Sequence, residues 1–510
     1  MRRRANRRDD ERVPVHPRAG AWAVGMEERL AKAAAWASRP LVITVLLALV
    51  VVAGVLVRLP GVLDEAGYFR HHADEATYFN KAFAEYPSAD ERLPLPHGGS
   101  GLSLFLEQVF RVAHIGPGAP VPQNPPPDHA FSDEQLEAVR IASLANALLG
   151  AAVVVATIAL CRLVLPPLAV LAGAAFAAFD PALVRMSGQL MTEPAYTLLL
   201  TLAVAAALKA REHPAWLLAI GPLMAFAHML RVNGLVMTAM VLLFAVLLLR
   251  RAGSAAKVPW AWVAGAAALF LLTAAPYLVW RADHLPGAFD YGTNQRFFAD
   301  DPWDRSDAYW KGYTYSDGGP RESMGDYFAT HSLWTAAKRL YSSILLQVVD
   351  LVGAGSSPWN RADAPALHPV LVVLCVAGAV RLRGRREHWA FPLALAFSLL
   401  TFVWVYPIVR SPRYFMPLVP LAIAYGLAGA RSLAHTSARP WTLSAVVVGL
   451  LLAAFAVLPV LSGLKSLSAL ADVGLLGVAV AAALLLAVLA ACPFAVDAVR
   501  RGIENPANRA

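Results

Sequence analysis

Residues 41–57 read LVITVLLALVVVAGVLV, a run without a single charged side chain. An apolar run of this length, extended slightly by its flanks, spans the hydrocarbon core of a bilayer as an α-helix. Comparable runs recur along the chain, and of its 510 residues 58% are hydrophobic and only 15% are charged. Such a composition excludes a soluble globular protein. It predicts an all-α polytopic membrane protein.

Eleven further apolar runs are long enough to cross a membrane, some with help from their flanks. They cover 139–161, 166–180, 191–208, 215–229, 233–249, 260–280, 367–380, 389–408, 414–430, 441–461 and 473–491. The total of about twelve spans places both termini on the same side. The stretch Leu340–Val352 is apolar but too short to cross, so we expect a juxtamembrane helix with Asp350 in solvent.

The basic residues of the chain indicate which side is cytoplasmic. They crowd the arm 1–39 and every second connection between spans. By the positive-inside rule both termini are cytoplasmic, and the long segments 58–138 and 281–366 are external. This distribution accounts for the net charge of +9 without a nucleic-acid partner. The arm has the composition of a disordered segment.

The location follows from the same features. We expect a multi-pass protein of the cell membrane, in contact with membrane lipids, whose functional face is external. Neither external segment contains an N-x-S/T sequon, which favours a bacterial protein. Residues 431–510 hold the last two spans and a cytoplasmic tail.

The first external segment contains an acidic pair about sixteen residues beyond the first span. It lies in HHADEATY, residues 71–78, where Asp74 and Glu75 are flanked by His72 and Tyr78. Two carboxylates beside imidazole and phenol groups suit a general base or a cation site. Asp74 as a helix N-cap, with Glu75 complementing the helix dipole, explains the same pattern, and the two roles are compatible.

Charged residues that adjoin the spans collect at the external ends, and the span interiors contain almost none. This distribution counts against a proton-coupled transporter, which needs ionisable groups at mid-membrane depth. External arginines run against the topology rule and suit an anion such as a lipid-linked phosphate, although each could instead snorkel to lipid headgroups. The charged residues at the external ends of the spans are Arg58, Arg140, Asp180, Arg185, Glu193, Arg231, Arg281, Arg410 and Arg413.

The order of these features resembles the GT-C glycosyltransferases, in particular the protein O-mannosyltransferase and aminoarabinose transferase branch. The resemblance covers most of residues 41–430. It is carried by Ala73–Tyr78, Arg140–Ser143, Asp180–Pro194, Leu230-Arg231 and Arg413–Pro420. Many relatives have a lysine-proline-proline-leucine turn where this chain has HGGSGL at 97–102, so His97 is the candidate to replace that lysine.

The resemblance implies a GT-C-like catalytic module over residues 40–430. Such enzymes transfer a sugar from a polyprenyl-phosphate carrier to a hydroxyl or similar nucleophile on the outer face, with inversion. Asp74 matches the catalytic base, and Glu75 is the next choice. The candidates for binding the donor phosphate are Arg140, Arg231 and Arg413, and those for binding substrate or acceptor are His72, Tyr78, His97 and Glu193.

Two other functions remain open at this point: a lipid or sugar transporter or flippase, and a non-catalytic membrane protein that binds envelope glycan. The external segment 281–366 is rich in aromatic residues, which suit either sugar rings or a membrane interface. Its acidic stretch 300–307 could ligate a hard cation, so a divalent metal stays open as a cofactor and no other cofactor is implied. The identity of the sugar, and whether the acceptor is a glycan, lipid or protein, depend on loop geometry.

Overall fold

The computed structural model describes residues 39–63, 68–69, 73–83, 101–122, 125–126, 129–250, 259–284, 324–352, 367–404, 406 and 411–434. Within these ranges every regular element is a helix, which confirms the predicted all-α class. The predicted arm 1–39, apart from its last residue, the acidic stretch 300–307 and the spans 441–461 and 473–491 lie outside the described residues.

The helices follow the predicted apolar runs closely. The α-helices are α1 Pro40–Leu56, α2 Leu59–Leu63, α3 Ala73–Phe83, α4 Gly101–Val112, α5 Asp133–Arg162, α6 Pro167–Phe179, α7 Pro181–Ser187, α8 Glu193–Lys209, α9 Leu217–Leu230, α10 Gly234–Leu249, α11 Trp260–His284, α12 Met324–Thr330, α13 Leu333–Val352, α14 Pro369–Arg381, α15 Ala390–Phe402 and α16 Val419–Ala434. Short 3-10 helices cover Pro214–Trp216, Arg386–His388 and Pro412–Leu418.

Three segments are long and apolar enough to cross a bilayer by themselves: Pro40–Leu63, Asp133–Arg162 and Trp260–Asp283. The pair α6 and α7, bent by 50° at Asp180, forms a fourth if it is one broken span. Other apolar helices are shorter than a typical span of about 20 residues. Because they need their flanks to cross, the count of about twelve spans stays a prediction.

Small residues allow the helices to pack closely. The clearest case is the contact between α14 and α16, where a Cβ placed on Gly429 would lie 2.4 Å from the Cα of Gly378. Any side chain at either glycine would therefore push the two helices apart. Close approach through small residues is the usual way in which membrane helices gain packing contacts.

The two ends of α10 lie at different ends of the helical bundle. Arg386, in the basic loop after α14, donates to the carbonyl of Leu247 near the end of α10 at 3.1 Å. That contact joins two connections that the charge pattern assigns to the cytoplasm. The other end of α10 begins beside Arg231, on the side predicted to be external.

Helix α13 is longer than the predicted stretch and has its polar side turned inward. Its polar residues recur every three or four positions, so they share one face of the helix. They are Arg339, Ser343, Gln347 and Asp350, and all four are buried. The exposed face is apolar and includes Leu333, Trp334, Tyr341, Ile344, Leu345 and Val348.

The expectation that Asp350 is solvated is therefore wrong. Its carboxylate accepts a hydrogen bond from the hydroxyl of Tyr406 at 2.8 Å. Three turns earlier on α13, Arg339 Nε donates to the carbonyl of Trp404 at 2.9 Å. Since the two parts of α13 contact Trp404 and Tyr406, the helix lies across the end of α15, as a juxtamembrane helix would.

Candidate active site

Helix α3 positions the acidic pair. Its buried aromatic side chains Phe79 and Phe83 pack against Phe110 of α4, with ring centroids 5.9 Å apart in both pairs. Ser103 of α4 also donates to the carbonyl of Tyr78 at 3.0 Å. These contacts hold α3 against α4 and place Asp74 at the exposed start of a fixed helix.

Asp74 belongs to a row of four alternating charges that four separate parts of the chain bring together. Arg413 Nη2 donates to Asp74 Oδ2 at 2.9 Å. On its other side, Arg413 Nε lies 3.8 Å from Glu193 Oε1, and the same oxygen accepts a hydrogen bond from Arg231 Nη1. We call the set Asp74, Arg413, Glu193 and Arg231 the charge ladder.

The four members of the charge ladder differ in exposure. The side chain of Asp74 is 39% exposed and that of Arg413 is 12% exposed. Arg231 is 13% exposed and Glu193 only 1%. The ladder therefore presents one accessible carboxylate, two partly covered guanidinium groups and one carboxylate sealed behind them.

Tyr414 holds the two guanidinium groups in place. Its ring centroid lies 5.1 Å from Arg231 Cζ and 5.5 Å from Arg413 Cζ, within cation–π range of both. The same ring stacks on Phe402 at the end of α15, with centroids 4.5 Å apart. Tyr414 was not among the residues selected from the sequence, although it directly follows Arg413.

Tyr78 lies one helical turn after Asp74 and so shares its face of α3. Burial is the main cause that raises the pKa of the Tyr78 hydroxyl, and Asp74 raises it further while Arg413 opposes the shift. Tyr78 is consequently a neutral hydrogen-bond donor at physiological pH. Burial also disfavours a charged Arg413, but Asp74, Tyr414, Glu193 and Tyr78 together more than compensate and raise its pKa above the ordinary value.

The remaining predicted site residues lie elsewhere or outside the described part of the chain. Glu75 is buried, so Asp74 is the member of the acidic pair that is accessible at the ladder. Arg140 is exposed on the second turn of α5. His72 and His97 are outside the described residues. Glu193, predicted to bind substrate or acceptor, lies sealed between two arginines.

Arg58 is buried, and its guanidinium group is hydrogen-bonded within the protein and does not face an open site. Its guanidinium donates to the carbonyls of Ala178 at 2.9 Å and Ala177 at 3.3 Å, at the end of α6. It also donates to Ser187 Oγ at 3.1 Å. These bonds satisfy carbonyl groups that the helix end leaves without partners. Arg58 thus ties α1 to the bend between α6 and α7.

The described residues do not decide whether the protein binds a metal ion. Among them, no three His, Cys, Asp or Glu side chains form a group that could hold a metal ion. Asp74 and Glu193 instead have arginine partners, which supply the positive charge that a cation would otherwise bring.

Neither a protein-family model nor a curated protein matches this chain. Solved structures do show similarity. The apo oligosaccharyltransferase of Archaeoglobus fulgidus matches with a TM-score of 0.48 and 13% identity, over 92% of this chain and 59% of that one. This chain therefore spans about three fifths of that protein.

ArnT from Cupriavidus metallidurans also matches, at 15% identity. In the apo state the TM-score is 0.46, over 89% of this chain and 76% of that one. Bound to undecaprenyl phosphate it is 0.43, over 90% and 78%. Both neighbours are GT-C glycosyltransferases. At these identities and TM-scores the similarity does not assign an activity, and the function proposed below rests on the charge ladder.

Proposed function

We propose that this chain is an integral membrane glycosyltransferase that moves a sugar from a polyprenyl-phosphate donor to an acceptor on the external face. The observation that carries the proposal is the direct contact between an accessible carboxylate, Asp74, and the fixed guanidinium group of Arg413, with Arg231 on the other side of Glu193. Transfer from a phosphate-linked sugar needs a base for the acceptor and cations for the leaving phosphate. The charge ladder supplies both within one cluster.

Asp74 is the general base in this proposal. The acceptor oxygen forms a bond to the anomeric carbon while the bond from that carbon to the phosphate oxygen breaks. The acceptor's proton moves to the Asp74 carboxylate, and the electron pair of the broken bond stays on the phosphate. Attack from the face opposite the phosphate inverts the anomeric configuration. A positioned base of this kind contributes roughly 10² to 10⁴ in rate.

Arg413 and Arg231 stabilise the leaving phosphate. A guanidinium group binds phosphate oxygens through two parallel N–H bonds, and it keeps its charge at any physiological pH. Because the leaving group is already anionic, cations are more useful to it than a general acid. Tyr78, neutral and beside the ladder, is placed to donate a further hydrogen bond.

The remaining candidates take peripheral roles in the proposal. Arg140 is exposed on the same predicted side of the membrane and contributes to attracting the donor's phosphate. His72 and His97 contribute to acceptor binding from the first external segment. For Glu193 we propose a different role from acceptor binding, as the counter-ion of the two arginines.

The test is glycosyl transfer by the purified full chain in lipid nanodiscs, with a panel of polyprenyl-phosphate sugars labelled in the sugar. We expect Asp74→Asn to reduce turnover by at least about 10², the contribution of a positioned base. Asp133→Asn is a matched control, because Asp133 is exposed in the first turn of α5, outside the ladder. Undiminished transfer by Asp74→Asn would remove Asp74 as the base. If sugar enters liposomes without being transferred, a transporter is favoured. If neither flux nor transfer is detected, a glycan-binding protein is favoured.

A further inference from the structure

The charge ladder is electrically balanced without any ligand. Its two arginines face two carboxylates, and Glu193 and Asp74 hold positions that a bound anion would need. A phosphate added to this balanced set would leave it with an excess of negative charge in a partly buried site, which is unfavourable. An incoming phosphate therefore competes with the two carboxylates for the arginines.

The two carboxylates differ in how easily they can be displaced. Glu193 contacts both arginines and its side chain is 1% exposed. Its removal would leave buried charges without a partner, which is strongly unfavourable. Among the described residues, Asp74 meets the ladder at its outer end, through Arg413, and its side chain is 39% exposed. An ion pair with one exposed member is worth much less, so Asp74 is the carboxylate that can leave.

We propose that the donor's phosphate replaces Asp74 on Arg413, so that donor binding itself releases the catalytic base. This inference rests on the proposed function for the role of Asp74, but the exchange of anions does not depend on it. A sugar-linked polyprenyl phosphate is a diester with one negative charge, so one anion takes the place of one carboxylate. Glu193 remains in place and keeps both guanidinium groups oriented.

The exchange imposes an order on the reaction. Until a phosphate arrives, Asp74 is held on Arg413 through an N–H bond to Oδ2 and is not directed at the acceptor. Once displaced, the carboxylate lies beside the phosphate that holds the sugar. The acceptor is then deprotonated only when a donor is present, which makes donor binding the first step.

The exchange can be tested by equilibrium binding of undecaprenyl phosphate to the full chain in nanodiscs. Because Asp74→Asn removes the competing carboxylate while keeping its size, we expect about fivefold tighter binding than in the wild type. Asp133→Asn removes the same charge from an exposed position outside the ladder and should leave the affinity unchanged. Unchanged or weaker binding by Asp74→Asn would overturn the exchange.

A second variant shows whether the competition acts through Arg413. In an Arg413→Gln background we expect weaker binding, and Asp74→Asn should then give no gain, because the pair is already absent. An equal gain in both backgrounds would contradict the proposal. Thermal unfolding of each variant verifies that it is folded. Tighter phosphate binding by Asp74→Asn, together with no glycosyl transfer by the wild type, would refute the proposed function alone. Transfer by the wild type, together with unchanged phosphate binding by Asp74→Asn, would refute the exchange alone.

Discussion

Glu193 is the residue whose substitution should most disturb the site. Glu193→Gln leaves Arg413 and Arg231 without their shared buried counter-ion. Breaking a buried ion pair in this way costs about 3 to 5 kcal/mol. We expect a loss of stability of that order, measured by reversible unfolding in detergent or nanodiscs.

The matched control is Glu107→Gln. Glu107 forms an exposed ion pair with Arg111 on α4, with N–O distance 2.6 Å and an arginine that is 68% exposed. An exposed pair contributes about 1 kcal/mol or less. Equal, small losses for the two variants would show that Glu193 is not a counter-ion that the fold requires.

Lys81 gives a prediction for pH dependence. Burial lowers the pKa of Lys81 from its ordinary value of 10.5 to about 7, so the folded chain loses this proton at a lower pH than the unfolded chain does. Between pH 7 and 10.5 the unfolded state therefore binds more protons, and stability rises with pH in that window. Lys81→Met should remove this part of the slope. Unfolding measured from pH 6 to 9 checks it, and an identical slope in both proteins would contradict it.

At this scale the sequence predicted candidates but not their partners. Arg231 and Arg413 are predicted from their positions at span ends, and Asp74 and Tyr78 from the stretch HHADEATY. That Asp74 pairs with Arg413, 339 positions away, depends on how the helices pack. The same applies to Glu193, whose burial between two arginines no local pattern indicates.

At the scale of elements, α13 connects the second external segment to the site. Tyr406 donates to Asp350 of α13, and its ring lies 6.4 Å from that of Tyr414, which contacts both arginines of the ladder. Tyr406→Phe removes only the hydroxyl and leaves a buried carboxylate with one hydrogen bond fewer. We expect a loss of about 1 to 3 kcal/mol in stability, together with weaker undecaprenyl phosphate binding.

Tyr341→Phe provides the control, because Tyr341 is exposed on the opposite face of the same helix. Loss of its hydroxyl should change neither stability nor binding. If Tyr406→Phe behaved like this control, the contact between α13 and residue 406 would have no role in supporting the site.

The boundaries of α13 show what hydropathy misses. Counting apolar residues gave about thirteen residues from Leu340, whereas the helix runs from Leu333 to Val352. The missing turns contain polar residues such as Arg339 that face the protein, while apolar side chains face outward. Hydropathy detects the apolar, outward-facing side of such a helix. It leaves out turns that carry buried polar residues, so those turns are predicted as loop.

For the whole molecule, the charge pattern predicts that one end of the bundle is external and the other is cytoplasmic. A cysteine placed at Asp133 should react with a membrane-impermeant maleimide in intact cells, whereas one at Arg211 should react only after permeabilisation. Cys161 and Cys375 are buried, which keeps their background labelling low, and the unsubstituted chain measures the total background. The reverse pattern of labelling would invert the proposed topology.

The class of the fold was predictable from the sequence because apolar composition and span length are properties of single segments. The helices that correspond to predicted spans begin and end close to the predicted runs, whereas α13 begins earlier than predicted and α2, α3, α4, α7 and α12 lie outside those runs. The number of membrane crossings was less predictable, since several helices are short and depend on their flanks.

The shortness of α14 and α15 has a consequence for the surrounding lipid. Each has 13 residues, which corresponds to a length of about 20 Å at 1.5 Å per residue. Both lie in predicted spans with exposed apolar side chains such as Val376 and Leu400, and a hydrocarbon core is about 30 Å thick. We expect lipid beside them to thin where their flanks do not supply the missing length, at a small free-energy cost per ångström. Acyl-chain length should then tune transfer, with higher rates in nanodiscs of short-chain lipids than of long-chain lipids, and equal rates would show that no such deformation acts on the protein.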